Sequence, residues 1–368
     1  MNRTSRLFLM GSGFVLAAGL GTGLVAYYGG GLPTLASAGR AVGPDELKYV
    51  PEAAAVVAYA NVRDVMNSEF RQKIRKVLPD DETKGQEEFQ RETGINIEQD
   101  IDYVLAWMTP TPAAQAAGAQ APDAHERGSH PVGLVLLHGR FDTARLESLA
   151  TSHGGVVETI DGIRVLRPNP DKAPDAVEAE PPAPNGDGRV TIARHRHSGP
   201  PPMVAFLETG LIALGEEPTI RAAIAHGASG GRSIRDNQDM VNLIGDLEGS
   251  SNVWAVGRMD ALTANASLPE PLAQHLPAVK WFSASSHVGA GISGLLRAEA
   301  RDDEAAKNLR DVLQGFMAMA KLHAGQKPEF APILQSLEVS GTGTTVALSF
   351  EVQPALVDAL IQLKNNAN

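Results

Sequence analysis

Apolar positions along the chain follow two periods, one that suits strands and one that suits helices. Val56-Val57-Ala58-Tyr59-Ala60 is a short apolar run that reads as a strand. It passes into a helical spacing of Val62, Val65, Met66, Phe70, Ile74, Val77 and Leu78, which Pro79 ends. Val253 to Leu262 repeats that strand-to-helix transition. Val132–His138 predicts a strand, followed by a helix from Asp142 to about Ser152. Gly291–Ala300 predicts another, followed by a helix from Asp302 to His323. There Leu309, Val312, Leu313, Phe316, Met317 and Ala320 share one face, with acids at the start and Lys321 and His323 at the end. Met203–Leu207 and Leu211–Leu214 flank Thr209-Gly210 as a hairpin, and Pro218 opens a helix to about His226. Leu337–Ser340 and Thr344–Phe350 flank Gly341-Thr342-Gly343 in the same way, and Pro354 opens a helix carrying Leu356, Val357, Leu360 and Ile361.

The order of elements therefore runs twice. Each half reads strand–helix, strand–helix, hairpin–helix, which predicts an α+β class with mainly antiparallel sheets. The expected organisation is an N-terminal segment at 1–40, a first repeat at 41–235 and a second at 236–368. The first repeat carries low-complexity insertions at 109–131, rich in alanine, and 168–188, rich in proline and acids.

The N-terminal segment has a different period. Arg3 and Arg6 precede Leu7–Tyr28, 22 residues without a charged side chain. A helix of that length spans about 33 Å, enough for a bilayer's hydrocarbon core of roughly 30 Å. Leu7, Phe8 and Phe14 would face lipid, and Tyr27 and Tyr28 close the run where aromatics favour the interface. The arginines place the N-terminus inside, so the expectation is a single-pass protein of a bacterial inner membrane with residues 40–368 extracytoplasmic. The alternative is secretion or release to the periplasm by cleavage after Ala38, the end of the A-x-A site Ala36-Ser37-Ala38. Gly19 and Gly23 form a G-x-x-x-G pair through which two such helices could dimerise.

Composition narrows the functions. The 368 residues include no cysteine, which removes disulfides, thiolate metal sites, a thiol nucleophile and a lipobox. The net charge of −11 argues against nucleic-acid binding. One helix departs from the acidic trend, with Arg63, Arg71, Lys73, Arg75 and Lys76 against Asp64 and Glu69. Such a face suits a membrane surface, but its apolar stripe reads more simply as an ordinary domain helix.

Candidate chemistry is sparse. His195 and His197, in Arg194-His195-Arg196-His197, would share one face of a strand and could supply two imidazoles to a metal, with His125 or His130 as a third. The flanking arginines would repel a cation. Glu98, Asp100 and Asp102 alternate with Ile97 and Ile101 as a half-buried segment, and the calcium-loop glycine is missing. Gly227–Ser233 lacks the lysine and strand-to-helix setting of a phosphate loop and reads as a helix stop. Gly291-Ile292-Ser293-Gly294 is not a nucleophile elbow. Trp254, Trp281 and Phe282 could line an apolar pocket or form ordinary core.

The run Tyr49–Val62 resembles the opening of uncharacterised bacterial proteins with one N-terminal membrane segment and an exported duplicated α+β domain. Gly291–Ala300 and Gly341–Phe350 resemble the same group. The resemblance implies the topology and carries over no catalytic residue or cofactor. The expected role is a membrane-tethered extracytoplasmic module that binds lipid through its N-terminal helix and a partner protein in the envelope. The alternatives are a carrier or sensor of an apolar ligand, and a metal-dependent hydrolase using His195 and His197.

Overall fold

A computed structural model of the chain describes residues 44–75, 80–109, 132–168, 202–247, 249–259, 278–324 and 331–358. The class is α+β, dominated by one large antiparallel sheet. Its strands are β1 (Val56–Ala60), β2 (Ile101–Thr109), β3 (Val132–Gly139), β4 (Val156–Ile160), β5 (Ile163–Arg167), β6 (Met203–Glu208), β7 (Leu211–Gly215), β8 (Val253–Arg258), β9 (Val279–Val288), β10 (Ile292–Ala300), β11 (Glu338–Ser340) and β12 (Thr345–Val352). They lie in the order β11-β12-β10-β9-β8-β1-β2-β3-β7-β6-β5-β4. The sequence predicted sheets in the plural. A single sheet results because β1 pairs with β8, Val56 opposite Gly257 through Ala60 opposite Val253.

Outward from that seam the strand order is β1-β2-β3-β7-β6 on one side and β8-β9-β10-β12-β11 on the other, and β5 and β4 extend the first side. Both sides also carry register shifts. On the first side they fall between the pairs Ile101–Gly139 and Tyr103–His138 and between Phe206–Ile212 and Glu208–Leu211, and on the second between Val279–Ala300 and Trp281–Glu299.

Helices among the described residues are α1 (Val62–Asn67), α2 (Glu69–Arg75), α3 (Asp80–Thr93), α4 (Ile97–Asp100), α5 (Thr143–Ser152), α6 (Glu217–Ser229), α7 (Gln238–Gly245), α8 (Asp303–Ala324) and α9 (Ala331–Ser336). The continuous helix predicted from Val62 is broken at Ser68, whose backbone is extended. Its hydroxyl donates to the Val65 carbonyl and accepts from the Arg71 N–H, ending one helix and capping the next. The Glu98–Asp102 segment is half-buried, as its alternation predicts, but it divides between two elements. Asn96 caps the single turn α4, and β2 begins at Ile101.

The period-2 alternation in the strands feeds cores on both faces. On one face Leu105, Leu134 and Leu136 meet Ile220 and Ile224 of α6, Met240 and Ile244 of α7, and Leu47 and Tyr49 from a 3-10 turn at Asp45–Tyr49. On the other, Val104, Val135 and Leu137 meet Val62 of α1, Phe89 of α3 and Leu146 of α5. Further along that second face, Val279, Ala300 and Val346 meet Ala306 and Leu309 of α8.

Two glycines give a test with opposite signs. A Cβ on Gly257 would lie 2.4 Å from the Ala55 carbonyl oxygen across the seam, whereas one on Gly315 in α8 would meet nothing within 4 Å. Gly257→Ala should destabilise the fold by about 1–3 kcal/mol. Gly315→Ala should stabilise it by roughly 0.5–1 kcal/mol through helix propensity. Urea unfolding monitored by circular dichroism distinguishes them.

Candidate functional site

Four aromatic side chains on neighbouring strands form a row across the sheet. Trp254 of β8 stacks on Tyr59 of β1 with centroids 5.5 Å apart, Tyr59 meets Tyr103 of β2 at 5.6 Å, and Tyr103 stacks on His138 of β3 at 4.7 Å. The rings cover one another's faces, so they offer edges and polar tips rather than flat stacking platforms. Trp254 is buried, while Tyr59, Tyr103 and His138 are partly exposed.

The register shift in β2 gives the row its chemistry. It makes Asp102 the extra residue between the pairs Ile101–Gly139 and Tyr103–His138. A bulge re-aims a side chain, and here the Asp102 Oδ2 lies 3.1 Å from His138 Nδ1. Arg63 of α1 donates to the other carboxylate oxygen. With Nδ1 directed at the carboxylate, Nε2 is the imidazole nitrogen left for solvent or a ligand. The His138 side chain is 35% exposed, so that nitrogen is reachable.

The turn at Asp45–Tyr49 borders the row. Glu208, at the end of β6, accepts from Lys48 Nζ at 2.6 Å and from Tyr49 Oη at 2.5 Å. Lys48 first, then the Tyr49 hydroxyl, with a smaller contribution from His138, hold the Glu208 carboxyl below the usual carboxylate range. Burial, followed by Glu208, pushes the Tyr49 phenol far up. Burial and the nearby Glu46 do the same to Tyr103. Tyr59 is pushed up to about 12, mainly by burial, then by Asp64 and Glu46.

Two features that the sequence presented separately meet each other. The basic residues of α1 and α2 turn towards the acids around α4. Arg71 and Arg75 lie 3.5 and 3.1 Å from Glu98, Arg63 reaches Asp102, and Arg140 lies 3.5 Å from Asp100. Lys73 reaches Asp358 at 2.8 Å. Guanidinium groups thus occupy the carboxylates that calcium would need. A hollow of about 70 Å³ beside them, lined by Arg75, Gln90, Asn96 and Glu98 among others, has room for a couple of waters, well short of the roughly 300 Å³ of a small-molecule site.

The remaining candidates scatter. His125, His130, His195 and His197 lie outside the described residues, as do Leu7, Phe8, Phe14, Gly19, Gly23, Tyr27 and Tyr28. No helix among the described residues is long and apolar enough to cross a membrane. Trp254 and Trp281 belong to the core beneath α6 and α7, whereas Phe282 packs with Val56 and Met108 on the opposite face. The three therefore do not line one pocket. Gly230, in the left-handed region at φ 63°, ends α6, and Ser233 caps the turn that follows. Sequence reasoning missed Tyr103, His138 and Glu208, whose only local signal was an aromatic or ionisable residue at a strand end.

No protein-family model matches the sequence, and no curated protein does. Among solved structures, the chain is similar to TP0453 in its crystal form I. The TM-score is 0.40 at 10% identity, covering 88% of this chain and 98% of that one. At that divergence no residue's role carries across.

The tyrosines and Glu208 give two pH tests. The chain has five tyrosines. With Tyr27 and Tyr28 changed to Phe, the three that remain should form almost no phenolate at pH 10–11, because each is raised while the chain is folded. A group raised in the fold contributes stability below its unfolded value, near 10, and loses it as pH rises through the folded value. Absorbance at 295 nm should therefore rise late and together with unfolding. Glu208 has the opposite sign. Its depressed value contributes stability above about pH 4.5, lost as pH falls through the folded value. Glu208→Gln should flatten the acid limb of stability by less than about 1 kcal/mol, as befits a half-exposed group.

Proposed function

We propose that the chain is a membrane-tethered extracytoplasmic module of the cell envelope, built from two copies of one α+β unit. In this reading it binds a protein partner at the Tyr59–Tyr103–His138 row. The duplication is supported rung by rung. If Ala58 and Ala255, opposite each other in the seam, are taken as equivalent, the pairings carry the equivalence outward through every matching strand. Ala106 then corresponds to Ala284, Gly133-Leu134 to Gly294-Leu295, Ala213-Leu214 to Ala347-Leu348, and Val204 to Val339. The shifts in the β2–β3 and β9–β10 pairings fall on corresponding rungs, and the further shift between Phe206–Ile212 and Glu208–Leu211 has no counterpart in the β11–β12 pairs. The bond from Gly139 N–H to the Gly210 carbonyl has its counterpart from Ala300 N–H to the Thr344 carbonyl.

One observation carries the choice of site. At rungs that the equivalence makes alike, the halves differ in chemistry. Asp102, Tyr103 and His138 of the first correspond to Lys280, Trp281 and Glu299 of the second, and Tyr59 corresponds to Val256. Both halves carry the bulge, yet the histidine–aspartate pair and the stacked Tyr103–His138 rings occur in one. A feature that the architecture does not require is the better candidate for recognition. The tether itself rests on the uncharged run Leu7–Tyr28.

Photocrosslinking in intact cells tests this reading. A photoreactive amino acid placed at 103 or 138 should capture the same envelope protein from both positions. The same group at Lys307, 72% exposed on α8, should not capture it. No position-specific product at 103 and 138 removes the site. A C-terminal reporter active only in the cytosol removes the location.

A further inference from the structure

We propose that two copies of this chain associate through the outer edge of β4, pairing antiparallel about Val157. This goes beyond the envelope reading and does not depend on it. Among the described residues the sheet ends at β11 on one side and β4 on the other, and the two ends differ. β11 is three residues long and begins with Glu338, the short, charged kind of edge that discourages pairing. β4 is five residues long and joins β5 through a tight hairpin. The two turn residues, Asp161 and Gly162, both have positive φ, 49° and 83°, as a type I′ turn requires.

The turn fixes which backbone groups face out. Residues flanking a two-residue turn form a hydrogen-bonded pair, here Ile160 and Ile163. By alternation, Glu158 and Val156 also point their N–H and C=O groups at β5. Val157 and Thr159 point theirs away, with no partner among the described residues. Beside them Val156 is 49% exposed.

Charge selects the occupant. A chain of net −11 can meet its own copy only where charge is cancelled locally. The hairpin does this internally. Arg167 holds both Glu158 oxygens at 2.7 and 2.8 Å, and Arg164 holds Glu147 of α5 at 2.5 Å. Charge also selects the register. Pairing centred on Glu158 would oppose two carboxylates across a close, non-hydrogen-bonded rung. Pairing centred on Thr159 would run Val157 into the turn at Asp161. Centring on Val157 opposes Val157 to itself, lays Val156 against the aliphatic stem of Glu158, and sets Thr159 opposite Gly155.

The absence of native cysteine makes the test clean. In purified full-length protein treated with diamide, Val157→Cys should form a disulfide-linked dimer in most chains. Thr159→Cys should form none, because the two thiols would sit about 14 Å apart at roughly 3.4 Å per residue. Adding Val156→Lys to Val157→Cys should cut the linked fraction at least tenfold. Adding Gly19→Ile and Gly23→Ile should leave it unchanged. Sedimentation of the unsubstituted chain should report a dimer, and that of Val156→Lys a monomer. A Val157→Cys chain with unaltered circular dichroism that stays unlinked overturns the proposal. So does a dimer abolished by the changes at 19 and 23, or one in which Thr159→Cys links as readily as Val157→Cys.

Discussion

Five rungs of antiparallel pairing between β1 and β8 bring together two stretches of chain that lie far apart in sequence, and the rest of the architecture follows from them. Closing so long a loop costs chain entropy, so the rungs must return more than backbone hydrogen bonds. They do so through burial. Val57 and Val256 are fully enclosed, and Trp254 and Val256 of β8 share one core with Val57, Leu105 and Leu134. Backbone bonds from Asn61 to Asn252 and from Arg258 to Ala55 extend the seam past both ends of the strands. Gly257 is the residue that lets the chains approach so closely, since any side chain there would strike Ala55.

Much of the fold was legible where turn signals bound an apolar run. β3, β10, the β6–β7 hairpin and α8 were readable because glycines or helix caps mark the ends of their apolar stretches. β2 was harder. Its residues Ile101 to Thr109 are nearly all apolar because both faces are covered, and the acids of α4 run straight into it. β9 hid for the opposite reason, since Ser283, Ser285 and Ser286 are buried in it and imitate a loop. The β4–β5 hairpin carries a plain local signal, Asp161-Gly162 between β-branched runs, that stands outside the two-repeat pattern. The seam was illegible in principle, because nothing local says that β1 and β8 share an edge.

The same distinction separates the legible from the illegible parts of the site. Glu98, Asp100 and Asp102 stood out as acids, and Arg63, Arg71 and Arg75 as bases, but periodicity cannot say that they neutralise each other. Most of these pairs are partly exposed and each is worth little alone, about 0–1 kcal/mol. They position α1, α2 and α4 more than they hold the fold together. The Asp102–His138 pair needs a register shift between two strands, a property of pairing rather than of either segment. Its stacked neighbour Tyr103 looked like one more apolar residue in a buried run.

The length of the sheet has a geometric consequence. Adjacent strands rotate by roughly 20–25°, so eleven successive rotations turn the outermost strands more than half a revolution from one another. Such a ribbon has no common plane, and a neighbour added at one end takes a heading that the opposite end does not share. Any assembly that propagated through both ends would coil like a spiral stair instead of spreading as a flat layer. An extended edge at one end and a blunted one at the other therefore favour a closed pair over an unending filament.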